Sequence, residues 1–168
     1  MVIGAGNIGG ALIGGILKSE VAQSGDVIAI DASDECRRRV AERWKVPVSP
    51  PGDPSAIRGR DVVILAVKPQ IIPSVLQEYR SVLQRGVIIL SVAAGVPISF
   101  IESVVGKNVS IFRAMPNIPV VVEEGATAVS GNSSTTEEQR KIVERIFSAL
   151  GAVVSVDESA RLGNCPYL

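Results

Sequence analysis

The chain predicts an α/β fold, a doubly wound and mostly parallel sheet with helices on both faces. Three observations lead there. Short apolar runs alternate with stretches of helical periodicity along most of the 168 residues. The longest apolar run, Val62 to Val67, is continuous rather than alternating, as in a strand covered on both faces. Gly4-Ala5-Gly6-Asn7-Ile8-Gly9 fits G-x-G-x-x-G and falls between an apolar run and a helical pattern.

The elements follow in order. Met1-Val2-Ile3 reads as the tail of a strand. From Asn7, Ile8, Leu12 and Ile16 repeat at i, i+4 and i+8 with Ala11 and Gly15 beside them, a helix narrow enough to lie close to a sheet. Val27 to Asp31 predicts a buried strand ending in an acid, and Ser33 an N-cap for a helix through Trp44. Val46 to Pro54 is a loop with a short extended piece. Asp61 to Val67 is a strand broken by Lys68-Pro69-Gln70, with a helix then running to about Leu83. Strands are expected at Val87 to Val92 and Val109 to Arg113, with a helix from about Ser99 to Val105 between them. After the loop Ala114 to Pro119 come a strand from Ala126 to Ser130, a helix from Thr135-Thr136 to Leu150 capped by Gly151, and a strand from Ala152 to Val156. Glu137 and Glu138 sit where the helix dipole favours acids. There is no internal repeat.

Composition excludes several classes of function. Seventeen basic and seventeen acidic residues cancel, so neither nucleic acid nor an anionic membrane is expected as partner. Six apolar residues fall far short of a membrane span, and no leader is expected ahead of Val2. Cys36 and Cys165 form no metal or redox spacing and fit a reducing, cytoplasmic location. No metal site is expected. Histidine is absent, which removes histidine-based triads and moves any catalytic reading towards a cofactor.

The strand–glycine–helix context points to dinucleotide binding. Gly4 permits the tight turn, Gly6 the close approach of a pyrophosphate, and Gly9 close packing of helix on strand. The helix N-terminus at Asn7 and Ile8 offers amide groups to phosphate. Asp31 stands 22 residues beyond Gly9, where a carboxylate accepts from the adenosine 2′-hydroxyl and favours NAD. Ser33 and the run Arg37-Arg38-Arg39 favour a 2′-phosphate instead, or else form a solvated face with pairs such as Asp34–Arg38 and Glu35–Arg39. NADH and NADPH both remain open. Cys36 and Trp44 read as packing residues.

Four stretches together resemble pyrroline-5-carboxylate reductase: "GAGNIGGALIGG" (Gly4 to Gly15), "VILAVKPQ" (Val63 to Gln70), "SVAAGVPI" (Ser91 to Ile98) and "RAMPNIPVVVEEGATAVSGN" (Arg113 to Asn132). The last is the most specific, and the resemblance runs to about Glu158. It implies a Rossmann-type NAD(P) domain, with NADPH slightly favoured. Ala66, Val67, Lys68 and Pro69 would pass beneath the riboses, with Lys68 either bonding ribose hydroxyls or simply solvated. Ala93, Ala94 and Gly95 would lie near the nicotinamide, and Met115, Pro116 and Asn117 would border the nicotinamide and a substrate pocket. Asp53 would make an adenine-side contact, and Asp31 departs from the polar or basic residue usual in relatives.

The implied reaction is hydride transfer from the nicotinamide to the C=N carbon of a cyclic imine acid, giving proline. The cofactor carries that chemistry and the protein positions it, so no catalytic residue is assigned. Residues 1–156 are expected to form the dinucleotide-binding domain. Residues 157–168 diverge where relatives continue into a helical domain that dimerises and completes the substrate site, so a homodimer is expected only for a full-length parent. The alternatives are a dinucleotide-binding module without catalysis and another Rossmann imine or β-hydroxyacid reductase. Turnover of imine separates the first from an enzyme, and the Met-Pro-Asn loop argues against the second.

Overall fold

A computed structural model describes residues 1–83, 86–116 and 125–156. Among these residues, eight strands form one sheet in the order β3-β2-β1-β4-β5-β6-β7-β8. They are β1 (Val2–Ile3), β2 (Ala29–Ile30), β3 (Val48–Ser49), β4 (Val62–Leu65), β5 (Ile88–Ser91), β6 (Ser110–Pro116), β7 (Gly125–Gly131) and β8 (Gly151–Ser155). The helices are α1 (Asn7–Lys18), α2 (Asp34–Trp44), α3 (Ile72–Leu83), α4 (Ile98–Val105) and α5 (Glu137–Ser148), with 3-10 turns at Pro54–Ile57 and Pro69–Ile71. Every pairing is parallel except β6 with β7. The order reverses between β1 and β4, the place where open sheets of this kind hold ligands.

Alternation along the strands explains the continuous apolar runs. Val2, Ile64, Leu90 and Phe112 face Leu12 and Ile13 of α1, Val40 of α2 and Phe147 of α5. Ile3, Val63, Leu65 and Ile89 face Leu76 and Tyr79 of α3 and Ile101 of α4. A strand with helices on both sides has no solvent face to keep polar. Trp44 lies over Gly14 of α1, the packing role expected of it.

The β-α alternation stands as expected, with three local corrections. Ala114, Met115 and Pro116 do not begin a loop. They close β6 by pairing with Val129, Ala128 and Thr127 of antiparallel β7, which keeps the backbone extended. Gly151 does not cap α5; the cap is Ala149, and Gly151 opens β8 at φ +137°, where a Cβ would lie 1.8 Å from the Gly125 carbonyl oxygen. The arginine run does not form the expected i, i+4 pairs among the described residues. Arg37 pairs instead with Asp34, one helical turn back on α2.

Candidate functional site

The three segments expected to meet a dinucleotide meet one another at the carboxyl ends of β1, β4 and β5. A cleft of about 330 Å³ is lined there by Gly6, Asn7 and Ile8 of the glycine loop, Ala66 to Pro69 after β4, and Val92, Ala93 and Ala94 after β5. Lys68 is the one formally charged side chain in that lining. Ile8, 40% exposed, stands at the rim. Val92 is a lining residue that motif reading passed over, although it lies inside "SVAAGVPI". Gly95 follows Ala94 at φ +73°, just beyond the lining.

The three glycines of the motif do different work. Gly4 sits at φ +100°, and a Cβ there would approach the Ala66 carbonyl oxygen to 2.5 Å, so the turn is pressed against the end of β4. At Gly9 a Cβ would come 1.8 Å from the Gly4 carbonyl oxygen, which brings α1 hard against the turn. Gly6 is the opposite case: a Cβ there would meet nothing within 4 Å. It precedes α1 as an N-cap without a side-chain hydrogen bond, and no acid occupies the first turn. The uncapped, bare end of α1 thus opens on the cleft, and its amides and dipole suit an anion.

Asp31, Ser33, Asp53, Met115 and Pro116 do not line this cleft. Asp31 accepts from the Ala5 N–H at 2.7 Å through Oδ2 and from the Ser33 N–H at 2.8 Å through Oδ1. Ser33 Oγ accepts from the Cys36 N–H at 3.3 Å and caps α2. Arg37 donates to the Asp31 carbonyl oxygen at 2.5 Å and pairs with the exposed Asp34. Arg39 Nη2 lies 3.4 Å from the Ala5 carbonyl oxygen. Asp53 caps the 3-10 turn at Pro54–Ile57, accepting from the Ser55 N–H at 2.9 Å, and hydrogen bonds from Ser55 hold its carboxyl below the usual value. Asn117 lies outside the described residues, as do Cys165 and the tail 157–168. No helix among the described residues is long and apolar enough to cross a membrane.

Residues 1–95, from the glycine loop through the cleft-lining turn after β5, match the family described as NADP oxidoreductase, coenzyme F420-dependent. The chain belongs to this family. Over 94% of its length it is 34% identical to a pyrroline-5-carboxylate reductase of Methanosarcina acetivorans. It spans 58% of that relative. A solved pyrroline-5-carboxylate reductase from Coxiella burnetii superposes with a TM-score of 0.86 at 30% identity, covering 92% of this chain and 57% of that one. A pyrroline carboxylate reductase from Plasmodium falciparum, solved with NADP bound, gives 0.80 at 25% identity over 94% of this chain and 56% of its own. The resemblance read from the four sequence stretches is therefore shared by whole-domain sequence and structure.

Proposed function

We propose that this chain is the NAD(P)-binding part of a pyrroline-5-carboxylate reductase. The observation that carries the reading is the cleft itself. It joins the glycine loop to the ends of β4 and β5, and only Gly6 of the motif has open space before it. That space is where a Cβ would obstruct a pyrophosphate, and the α1 N-terminus beside it has no side-chain cap to displace. The NADP-bound relative and the family description support the same cofactor class.

In this reading Gly4, Ala5, Gly6, Asn7, Ile8 and Gly9 shape and supply the pyrophosphate seat. Ala66, Val67, Lys68 and Pro69 run beneath the riboses, with the Lys68 ammonium donating to ribose hydroxyls. Ala93, Ala94 and Gly95 leave room for the nicotinamide ring, and Met115, Pro116 and Asn117 border the substrate. Ser33 and Asp53 lie on the adenosine side. When bound, the dihydronicotinamide supplies hydride to the C=N carbon of the cyclic imine acid. The chain's own residues hold the carrier in place and keep its reacting face towards the substrate pocket. Residues 1–156 form the dinucleotide domain, and the small-molecule site is completed by helices and a second subunit in a full-length protein of the cytoplasm.

The test is titration of the purified chain with NADPH and NADH, followed by oxidation of each driven by 1-pyrroline-5-carboxylate. Saturable binding of at least one dinucleotide is expected. A folded chain that binds neither overturns the reading. Turnover would place the whole reaction within these residues, whereas binding without turnover confines them to the cofactor half.

A further inference from the structure

We propose that Asp31 is a positioning residue that, with Arg39, clamps the glycine loop, and that its carboxylate does not set the choice between NADH and NADPH. The proposal rests on the dinucleotide reading above and concerns how the loop is held.

Ala5 lies fully buried between Gly4 and Gly6. Its N–H donates to Asp31 Oδ2 at 2.7 Å, and its carbonyl oxygen is 3.4 Å from Arg39 Nη2. The preceding amide, Gly4 N–H, donates to the Ile30 carbonyl oxygen at 2.7 Å. The peptide groups on either side of Ala5 are thus held from β2 and α2, and they determine where Gly6 meets the cleft. A loop of two glycines and an alanine has little side chain of its own to define its shape, so orientation must come from outside it. A charged acceptor is suited to this because its bond to a backbone amide is stronger than a neutral one.

The same geometry changes what Asp31 offers a ligand. Its second oxygen already accepts from the Ser33 N–H at 2.8 Å, and Arg37 sits on its own carbonyl oxygen at 2.5 Å. Both carboxylate oxygens thus already accept from a backbone amide, while the Arg37 and Arg39 guanidinium groups lie on the carbonyl oxygens of Asp31 and Ala5. A ribose hydroxyl would have to share an oxygen that a backbone amide already holds, so the carboxylate is committed first to the shape of the loop.

The experiment compares the wild type with Asp31→Asn and Arg39→Ala. It reads amide hydrogen exchange at Ala5 without ligand, and dissociation constants for NADH and NADPH. Asp31→Asn should speed exchange at Ala5 at least tenfold while amides of the sheet core keep their protection. Both variants should weaken NADH and NADPH by the same factor, about tenfold for Asp31→Asn, leaving their ratio within about twofold of wild type. Selective loss of NADH in Asp31→Asn, with NADPH unchanged or tighter, would make Asp31 the ribose acceptor and overturn the proposal. Selective loss of NADPH in Arg39→Ala would make Arg39 a phosphate clamp and do the same. Unchanged exchange at Ala5 would remove the tether altogether. If the wild type binds neither dinucleotide, the functional reading fails on its own, and exchange at Ala5 still decides whether Asp31 holds the loop.

Discussion

At Gly4 an added methyl would meet the Ala66 carbonyl oxygen at 2.5 Å, on a backbone already at φ +100°. At Gly6 it would meet nothing. Alanine at these two positions should therefore fail in opposite ways. Gly4→Ala should lose roughly 1 to 3 kcal/mol from backbone strain alone, seen as a lower denaturation midpoint. Gly6→Ala should keep stability within about 0.5 kcal/mol yet bind dinucleotide about tenfold or more weakly, measured by titration. Tyr79 carries a different signature. It is fully buried on α3, and its hydroxyl has no hydrogen-bond partner among the described residues. Burial pushes its pKa up from 10.0 to about 12. The unfolded chain releases this proton near pH 10 and the folded chain only near pH 12. Stability from this group is thus complete below pH 10 and lost as pH rises towards 12. Tyr79→Phe should remove that alkaline loss and add about 1 kcal/mol at neutral pH, both readable from urea denaturation as a function of pH.

Helix α5 shows how local chemistry fixes an element. The Thr136 hydroxyl accepts from the Gln139 N–H at 3.3 Å, and Gln139 Oε1 accepts from the Thr136 N–H at 3.0 Å. The stretch Thr136-Glu137-Glu138-Gln139 spells this reciprocal pair, with threonine at the cap and glutamine three residues on. Thr136→Ala should cost about 1 kcal/mol, a fall of roughly 2 to 4 °C in thermal midpoint. Strands β2 and β3, by contrast, are only two residues each. The apolar run Val27 to Asp31 promised a longer strand, but β2 pairs β1 and β3 only at Ala29 and Ile30. Hydrophobicity reports burial, and burial of Val27 in the core continues past the end of the ladder.

At the scale of the molecule, the glycine loop leaves β1 where the strand order reverses, flanked by β2 on one side and β4 on the other. The cleft depends on this crossing, because Gly4 touches the end of β4 while Ala5 is held from β2. A ligand seated there binds three strand ends at once and should stabilise the whole domain. NADPH at a hundredfold excess over its dissociation constant should add about 2.7 kcal/mol, a rise of roughly 5 to 10 °C in a thermal melt. No rise for either dinucleotide, in a chain that melts cooperatively, would count against the cleft as the binding site.

The resemblance to pyrroline-5-carboxylate reductase pointed to the two further segments that line the cleft, whereas the sequence by itself determined the fold class and the position of the glycine loop. These are legible because they depend on local rules: apolar runs record burial, glycines record turns and close approach, and strand-to-helix alternation leaves few topologies. The roles of Asp31, Arg37 and Arg39 were not legible in the same way. Spacing placed Asp31 at the strand end and the arginines on α2, but could not say that Asp31 reaches back to Ala5 or that Arg37 pairs with Asp34. Nor could it show that Met115 and Pro116 continue a strand, because the partner that keeps them extended is β7. Only the tertiary structure decided these, since a charged or turn-forming residue takes its role from whichever distant backbone is brought within hydrogen-bond reach.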